Sequence, residues 1–511
     1  MLNQIHKTEG TTPGERELTR LANLSFFGLW SYASVHRLKG NGSIKHEVAD
    51  LLVVFGNDVI IFSEKDITFP DSNNIVEDWG RWFRKSISKS VSQLRGAEKY
   101  IKSKDNALFL DEKCTKPFPF QLNASELRVH LIAFCRNSCE RAKGYFAQNQ
   151  EEGASTSTGT LVFLSPLREQ EMLLNPFHIG DFDPKKPFIH VFDEDSLSLL
   201  LTELDTGPDF IDYLCAREQS IRGKTVSFFY GEEDFLAVYL KNIQANGFGC
   251  FRADKSLPTA PENALPTIEE GMWQLFKLLP YYAIHEQQRK HAGFWKSVID
   301  DFSQSILTAT VGEAREESLE THERALRAMA SENRISRAAL GHALLEKFHT
   351  VPTNARSARV VQSSSNPNRL YIFLLFPWID EHKTYDGYRA ERTACMKLYA
   401  RAAQLKYPAY SEIVILGADT KNSSKGSSET VLVVKGNPEM PEREKAETLA
   451  MMEEHRVLTD ISELKHVSRS TYAPTTGNVF GNWRPIPSNP PGVNQPCYCG
   501  SGKKYKKCCR P

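Results

Sequence analysis

Residues 47–65, Glu-Val-Ala-Asp-Leu-Leu-Val-Val-Phe-Gly-Asn-Asp-Val-Ile-Ile-Phe-Ser-Glu-Lys, leave this chain few ways to fold. Two apolar runs rich in β-branched residues, 48–55 and 59–62, flank Gly56-Asn57-Asp58, residue types that tolerate the positive φ angles of a tight turn. The pattern predicts a β-hairpin. Because the runs are nearly continuous rather than alternating, both faces of that hairpin need covering by other elements. Asp50 enters the first strand and Lys65 leaves the second, and charges on so apolar a hairpin either reach solvent at the strand ends or do chemistry. Side chains two apart in a strand share a face, so Ser63 and Lys65 lie together and Glu64 opposes them.

At 511 residues the chain exceeds what one core organises, and two to four domains are expected. The 63 basic residues balance 63 acidic ones, which argues against a globally electrostatic nucleic-acid binder and leaves only local patches to consider. The first ten residues have no apolar leader core, and no run approaches the length of a membrane span, so a cytoplasmic, soluble chain is expected. Of the ten cysteines, six (114, 135, 139, 215, 250 and 395) are scattered, as free thiols of reduced proteins are. The other four crowd the C-terminus.

Ahead of the hairpin, Thr11-Thr12-Pro13 reads as the cap and first turn of a helix running through Gly14–Ala22. Glu17 lies in its early turns, where an acid also complements the helix dipole. After the hairpin, Trp79, Trp82, Phe83, Ile87, Val91, Leu94 and Ile101 recur at helical spacing across residues 75–103. Between residues 81 and 104 stand eight basic residues and one acidic residue, Glu98. Such a run can be a solvated face, but its charge suits a phosphate backbone, with Arg84, Lys85, Lys89 and Lys99 as the contacts. A strand over 128–134 would complete an α-β-β-α-β core, closing a first domain at about residues 1–147 before a polar linker.

A carboxylate on one strand followed, after a tight turn, by a small residue-x-Lys on the next resembles the core of the PD-(D/E)XK nuclease superfamily. The resemblance implies a restriction-endonuclease-like fold, Asp50 as a ligand of Mg²⁺ or Mn²⁺, Lys65 as the catalytic lysine and Glu17 as the helix glutamate directed at the metal. Gln93 resembles the polar residue that many members place nearby. The family usually has an acid two residues before the lysine; this chain has Ser63.

The remainder reads as mixed α/β and α+β architecture. Residues 160–350 form a helix-rich mixed domain, with acids at 181, 183 and 193–195 around His190 that either hold a metal or cap helices. His285 and His291 are six apart, which does not match helical zinc spacing. Charges alternate over 313–327, marking an exposed helix. Residues 369–465 suggest a small α/β unit, and no GxxxxGK[ST] phosphate loop occurs in the chain.

Residues 472–496 carry six prolines and three glycines, the composition of an extended tether. It leads to Cys-Tyr-Cys-Gly-Ser-Gly-Lys-Lys-Tyr-Lys-Lys-Cys-Cys, in which Cys497, Cys499, Cys508 and Cys509 can close a tetrahedral zinc site. Residues 497–511 are similar to the SEC-C motif, a zinc-binding module appended to many bacterial proteins. Two functions follow as expectations: a metal-dependent nuclease or nuclease-like nucleic-acid binder with a zinc-binding targeting tail, or a non-enzymatic adaptor that docks a protein partner through that tail.

Overall fold

Thr12 caps the first helix, α1 (Pro13–Trp30), accepting the Glu15 N–H at 3.1 Å, and Pro13 occupies a first-turn position that needs no donor. The helix opens a computed structural model that describes residues 2–39, 44–148, 160–244, 246–251, 266–311, 317–379, 384–421, 429–436 and 439–459. Three antiparallel strands follow, β1 (Ser31–Lys39), β2 (Ile44–Phe55) and β3 (Asp58–Asp66). The β2–β3 pair is the expected hairpin, turned by Gly56 at φ 63° and Asn57. The chain then crosses through α2 (Ile75–Phe83), a π-helical turn (Arg84–Ser88) and α3 (Lys89–Ile101) to β4 (Arg128–Arg136), parallel to β3.

The order is therefore α-β-β-β-α-β, not the α-β-β-α-β expected from sequence. The missed element is β1. Its residues, Ser-Tyr-Ala-Ser-Val-His-Arg-Leu-Lys, follow the apolar end of α1, where Gly28 beside the non-helical Phe27 marks the boundary from within an apolar run.

Next come α4 (Cys139–Gln148), β5 (Val162–Leu164), α5 (Glu169–Met172), β6 (His178–Ile179) and β7 (Ile189–Phe192). Strand β7 lies parallel to β4 and completes a five-stranded sheet of order β1-β2-β3-β4-β7. The first sheet thus draws its last strand from beyond residue 147, where a domain boundary was expected. Helices α6 (Glu194–Glu203) and α7 (Gly207–Arg222), then β8 (Phe228–Phe229), α8 (Glu232–Lys241), β9 (Thr267–Ile268) and α9 (Met272–Leu278) follow, with a small sheet of order β6-β5-β8-β9.

Three helices, α10 (Pro280–Leu307), α11 (Leu319–Ala330) and α12 (Arg334–Thr350), bridge the first sheet and the last. The final unit comprises β10 (Ser357–Gln362), β11 (Arg369–Phe376), α13 (Tyr385–Lys406), β12 (Glu412–Asp419), β13 (Thr430–Lys435) and α14 (Glu442–Glu454), its strands ordered β10-β11-β12-β13. Alternation assigns its faces. Tyr371, Phe373, Val414 and Leu416 join the core shared with the N-terminal sheet, whereas Ile372, Leu374, Ile413 and Ile415 form a second core with Met396, Ala403 and Met452 of α13 and α14. The helix expected to be exposed over 313–327 instead starts at Leu319 and buries Glu323, Leu326 and Met329, with the Trp30 indole donating to Glu323 at 2.8 Å.

Candidate active site at the β2–β3 fork

The β2–β3 ladder ends at the pair Leu51–Phe62. Beyond it the strands part, and the Asp50 carboxylate receives the Glu64 N–H at 2.5 Å. Lys65 Nζ stands 3.3 Å from the same carboxylate oxygen and donates to the Glu64 carbonyl at 2.7 Å. Gln93 reaches across from α3 and places its amide nitrogen 3.4 Å from the other Asp50 oxygen. Two of the residues anticipated from sequence, Asp50 and Lys65, therefore meet. Burial raises the Asp50 carboxyl above its ordinary range, against the opposing pull of Lys65 and the Glu64 N–H.

Ser63 shares this face, as parity requires, and its hydroxyl lies 3.2 Å from both Ser90 Oγ and Gln93 Oε1. Glu64 points the other way. Its carboxylate packs on Gly14 in the first turn of α1, so closely that a Cβ there would fall 2.0 Å from Oε1. Arg136 approaches that oxygen only to 3.9 Å, and Oε1 is buried with no hydrogen-bond partner among the described residues. Glu64 is 8% exposed, and its carboxyl is pushed up to about 7 by burial first and by Asp50 and Asp66 next.

Glu17 is not at the fork. It is partly exposed and forms a two-pronged pair with Arg20 on α1, both contacts at 2.8 Å. The inward glutamate is Glu15, because residues two apart on a helix are separated by about 200° of rotation. Its Oε2 accepts the Thr11 N–H at 2.7 Å, the Thr11 hydroxyl at 2.8 Å and the Ser34 hydroxyl at 3.2 Å. Burial pushes the Glu15 carboxyl up, but these donors outweigh it and hold the carboxyl below its usual range. The spacing Thr12-x-x-Glu15 is that of a capping box, the signal that would have found it.

Glu47 is the residue sequence parity hides. Against β1, the register of β2 runs Val35–Ala49 and then His36–Glu47, leaving Val48 as an extra residue. Three residues apart, Glu47 and Asp50 should face opposite ways, and the bulge returns them to one side. Glu47 makes no hydrogen bond or ion pair among the described residues. Its carboxyl is pushed up to about 7 by burial and then by Asp50 and Glu15. Among the described residues no group of three or more His, Cys, Asp or Glu side chains is gathered tightly enough to hold a metal ion.

Arg84, Lys85, Lys89 and Lys99 are all exposed along the crossing helices. Lys89 stands one turn before Gln93 and so lies on the helix flank that reaches the fork. The acids farther on have structural partners: Asp181 pairs with Arg222 at 2.9 Å, Asp193 caps α6 through Ser196, and His190 lies between the rings of Phe188 and Phe192. No metal site forms among these described residues. Buried His285 faces Glu203 at 2.8 Å. The zinc cysteines Cys497, Cys499, Cys508 and Cys509 lie outside the described residues, as does the tether before them.

Among the described residues no helix is long and apolar enough to cross a membrane. No curated protein and no solved structure matches the chain. Residues 494–511 match the SEC-C motif, a motif of the zinc-binding type.

Proposed function

We propose that the N-terminal region is a metal-dependent nuclease or nuclease-like nucleic-acid-binding unit of the PD-(D/E)XK type, with a restriction-endonuclease-like core. The SEC-C tail is then a zinc-bearing targeting module built on Cys497, Cys499, Cys508 and Cys509. The observation that carries this reading is the meeting of Asp50 and Lys65 at the fork of an α-β-β-β-α-β unit, 3.3 Å apart.

The donor set suits a hard divalent cation. Asp50 is a buried carboxylate where the two strands part, oriented by the Glu64 N–H and the Gln93 amide. Mg²⁺ needs only one or two carboxylates from the protein, the rest of its shell being water and substrate phosphate. Asp50 would hold it, from the face it shares with Lys65 and Ser63. Bound there, the ion supplies Lewis-acid activation of water and neutralises charge on the phosphate. Lys65 offsets charge developing on the scissile phosphate, Gln93 orients Asp50, and Lys89 with Arg84, Lys85 and Lys99 meets the flanking backbone.

One observation favours the adaptor reading. The position two before Lys65 is Ser63, already hydrogen-bonded inside the fold. Cleavage of DNA and RNA with Mg²⁺ or Mn²⁺ separates the two. Asp50→Asn and Lys65→Ala should each lower divalent-dependent cleavage at least about 100-fold, while Asp50→Asn keeps its melting temperature. A wild-type protein that cleaves neither nucleic acid with either ion, alongside an Asp50→Asn variant that binds its partners unchanged, would leave the adaptor as the function.

A further inference from the structure

We infer that the outer edge of β13 is a docking edge for a second copy of this chain. The two β13 strands pair antiparallel across a two-fold axis at Leu432, so that the final sheet continues from one molecule into the other. The inference does not depend on the nuclease reading and uses a surface that reading leaves aside.

The five-stranded sheet and the final sheet end in four edge strands, and three of these are guarded. β1 is closed at His36, which exchanges both backbone bonds with Phe109 at 2.9 Å, and β7 is a four-residue strand buried throughout. β10 carries Arg359 within it, held on the Ala343 carbonyl and on Glu346, both at 2.8 Å. Cover, short length and charge are the devices that keep an edge from pairing with another chain. β13 runs uncharged from Thr430 to Val434, and only its last residue, Lys435, is ionised.

Backbone parity assigns the open groups. The Gly436 N–H, just beyond β13, donates to the Ser411 carbonyl just before β12 at 2.8 Å, so residues 430, 432 and 434 turn towards β12 and Val431, Val433 and Lys435 turn outward. The Lys435 carbonyl accepts the Gln404 amide at 2.7 Å. The N–H and carbonyl groups of Val431 and Val433 have no partner among the described residues. Such a row is a template for another strand.

The strand is complementary to itself. Opposing Val431 to Val433 of the second copy pairs all of these open groups in both molecules, without disturbing the Gln404 contact. The same register sets Lys435 against Glu429 of the second copy at each end of the pair, opposite charges on directly facing residues. Val431 and Val433 pack on the core shared with the N-terminal sheet, Leu432 and Val434 on the second core, and all four are only half-buried. A strand laid alongside extends both cores over them.

The test is sedimentation equilibrium of the full-length protein over roughly 1–100 µM. Wild type should form a dimer. Val433→Pro removes an outward N–H and no ladder bond to β12, so it should keep its melting transition and sediment as a monomer. Glu429→Lys and Lys435→Glu set like charges against each other and should each raise the dimer Kd at least about fivefold, while the double variant recovers it. If Val433→Pro melts early, the charge-swap series carries the comparison alone. A wild type that stays monomeric throughout the range overturns the inference. So does a dimer that correctly folded Val433→Pro retains, or one whose Kd both charge variants leave unchanged.

Discussion

Asp419 and Asp50 are both buried aspartates beside a cation near a strand end, yet their surroundings differ. Asp419, the last residue of β12, accepts from the Arg392 guanidinium, from the Tyr388 hydroxyl at 2.7 Å and from the Tyr385 hydroxyl at 3.1 Å. Arg392 also reaches Thr430 Oγ1 at 3.0 Å, and the pair is 0% and 2% exposed. Donors there match the carboxylate. At the β2–β3 fork the set is thinner, Asp50 having the Glu64 N–H, Lys65 at 3.3 Å and the Gln93 amide at 3.4 Å, while the buried Oε1 of Glu64 has no hydrogen-bond partner among the described residues. A buried charge with a complete set of partners holds a fold together, whereas a surplus of buried charge points to a ligand.

The sharpest way to break this contrast is to remove the cation from the satisfied site. Arg392→Met should cost about 3–5 kcal/mol in urea unfolding, since it strands Asp419 and frees the Thr430 contact. Asp50→Asn, by comparison, should change stability by less than about 1 kcal/mol, because the amide oxygen still accepts the Glu64 N–H and an unfavourable charge is gone. Equal losses in the two variants would erase the distinction between structural and functional carboxylates.

Asp212 lies between the two cases, with one side-chain donor among the described residues, the Tyr239 hydroxyl at 2.6 Å. Burial pushes its carboxyl up to about 6, against that hydrogen bond. A carboxyl raised on folding favours the protonated native state, so its contribution is complete below about pH 4 and is lost as pH rises through 6. Asp212→Asn should therefore gain on wild type between pH 4 and 7, at less than the one-proton limit of about 1.4 kcal/mol per pH unit. Parallel stability curves would show that Asp212 does not titrate in this window.

The smallest effect on the described fold is expected from the tail. Wild type should carry one zinc, and Cys497→Ser combined with Cys508→Ser should lose it while the main melting transition stays in place, since the four cysteines follow a stretch of sequence rich in proline and glycine. Zinc retained by the double variant would remove the tail from the metal-binding class.

The hairpin and the tail were legible because each depends on local chemistry. A turn that needs Gly56 and two β-branched runs announce β2 and β3, and four cysteines in thirteen residues announce the SEC-C motif. Glu17 misled because helix periodicity tells which residues share a face but not which face meets the sheet. Strand β1 escaped because its alternation is short and the glycine before it, Gly28, is embedded in the apolar run that ends α1.

By itself the sequence determined the hairpin, the pairing of Asp50 with Lys65 by strand parity, the basic face of the crossing helices and the cysteine module. Each rests on spacing along one or two elements, which the covalent chain sets directly. Only the tertiary structure decided that Glu15 rather than Glu17 turns inward, that β7 joins the first sheet, and that a bulge at Val48 changes the alternation of β2. These depend on how strands register against one another, and a bulge that inserts Val48 costs the sequence no visible mark while reversing which face every earlier side chain of β2 presents.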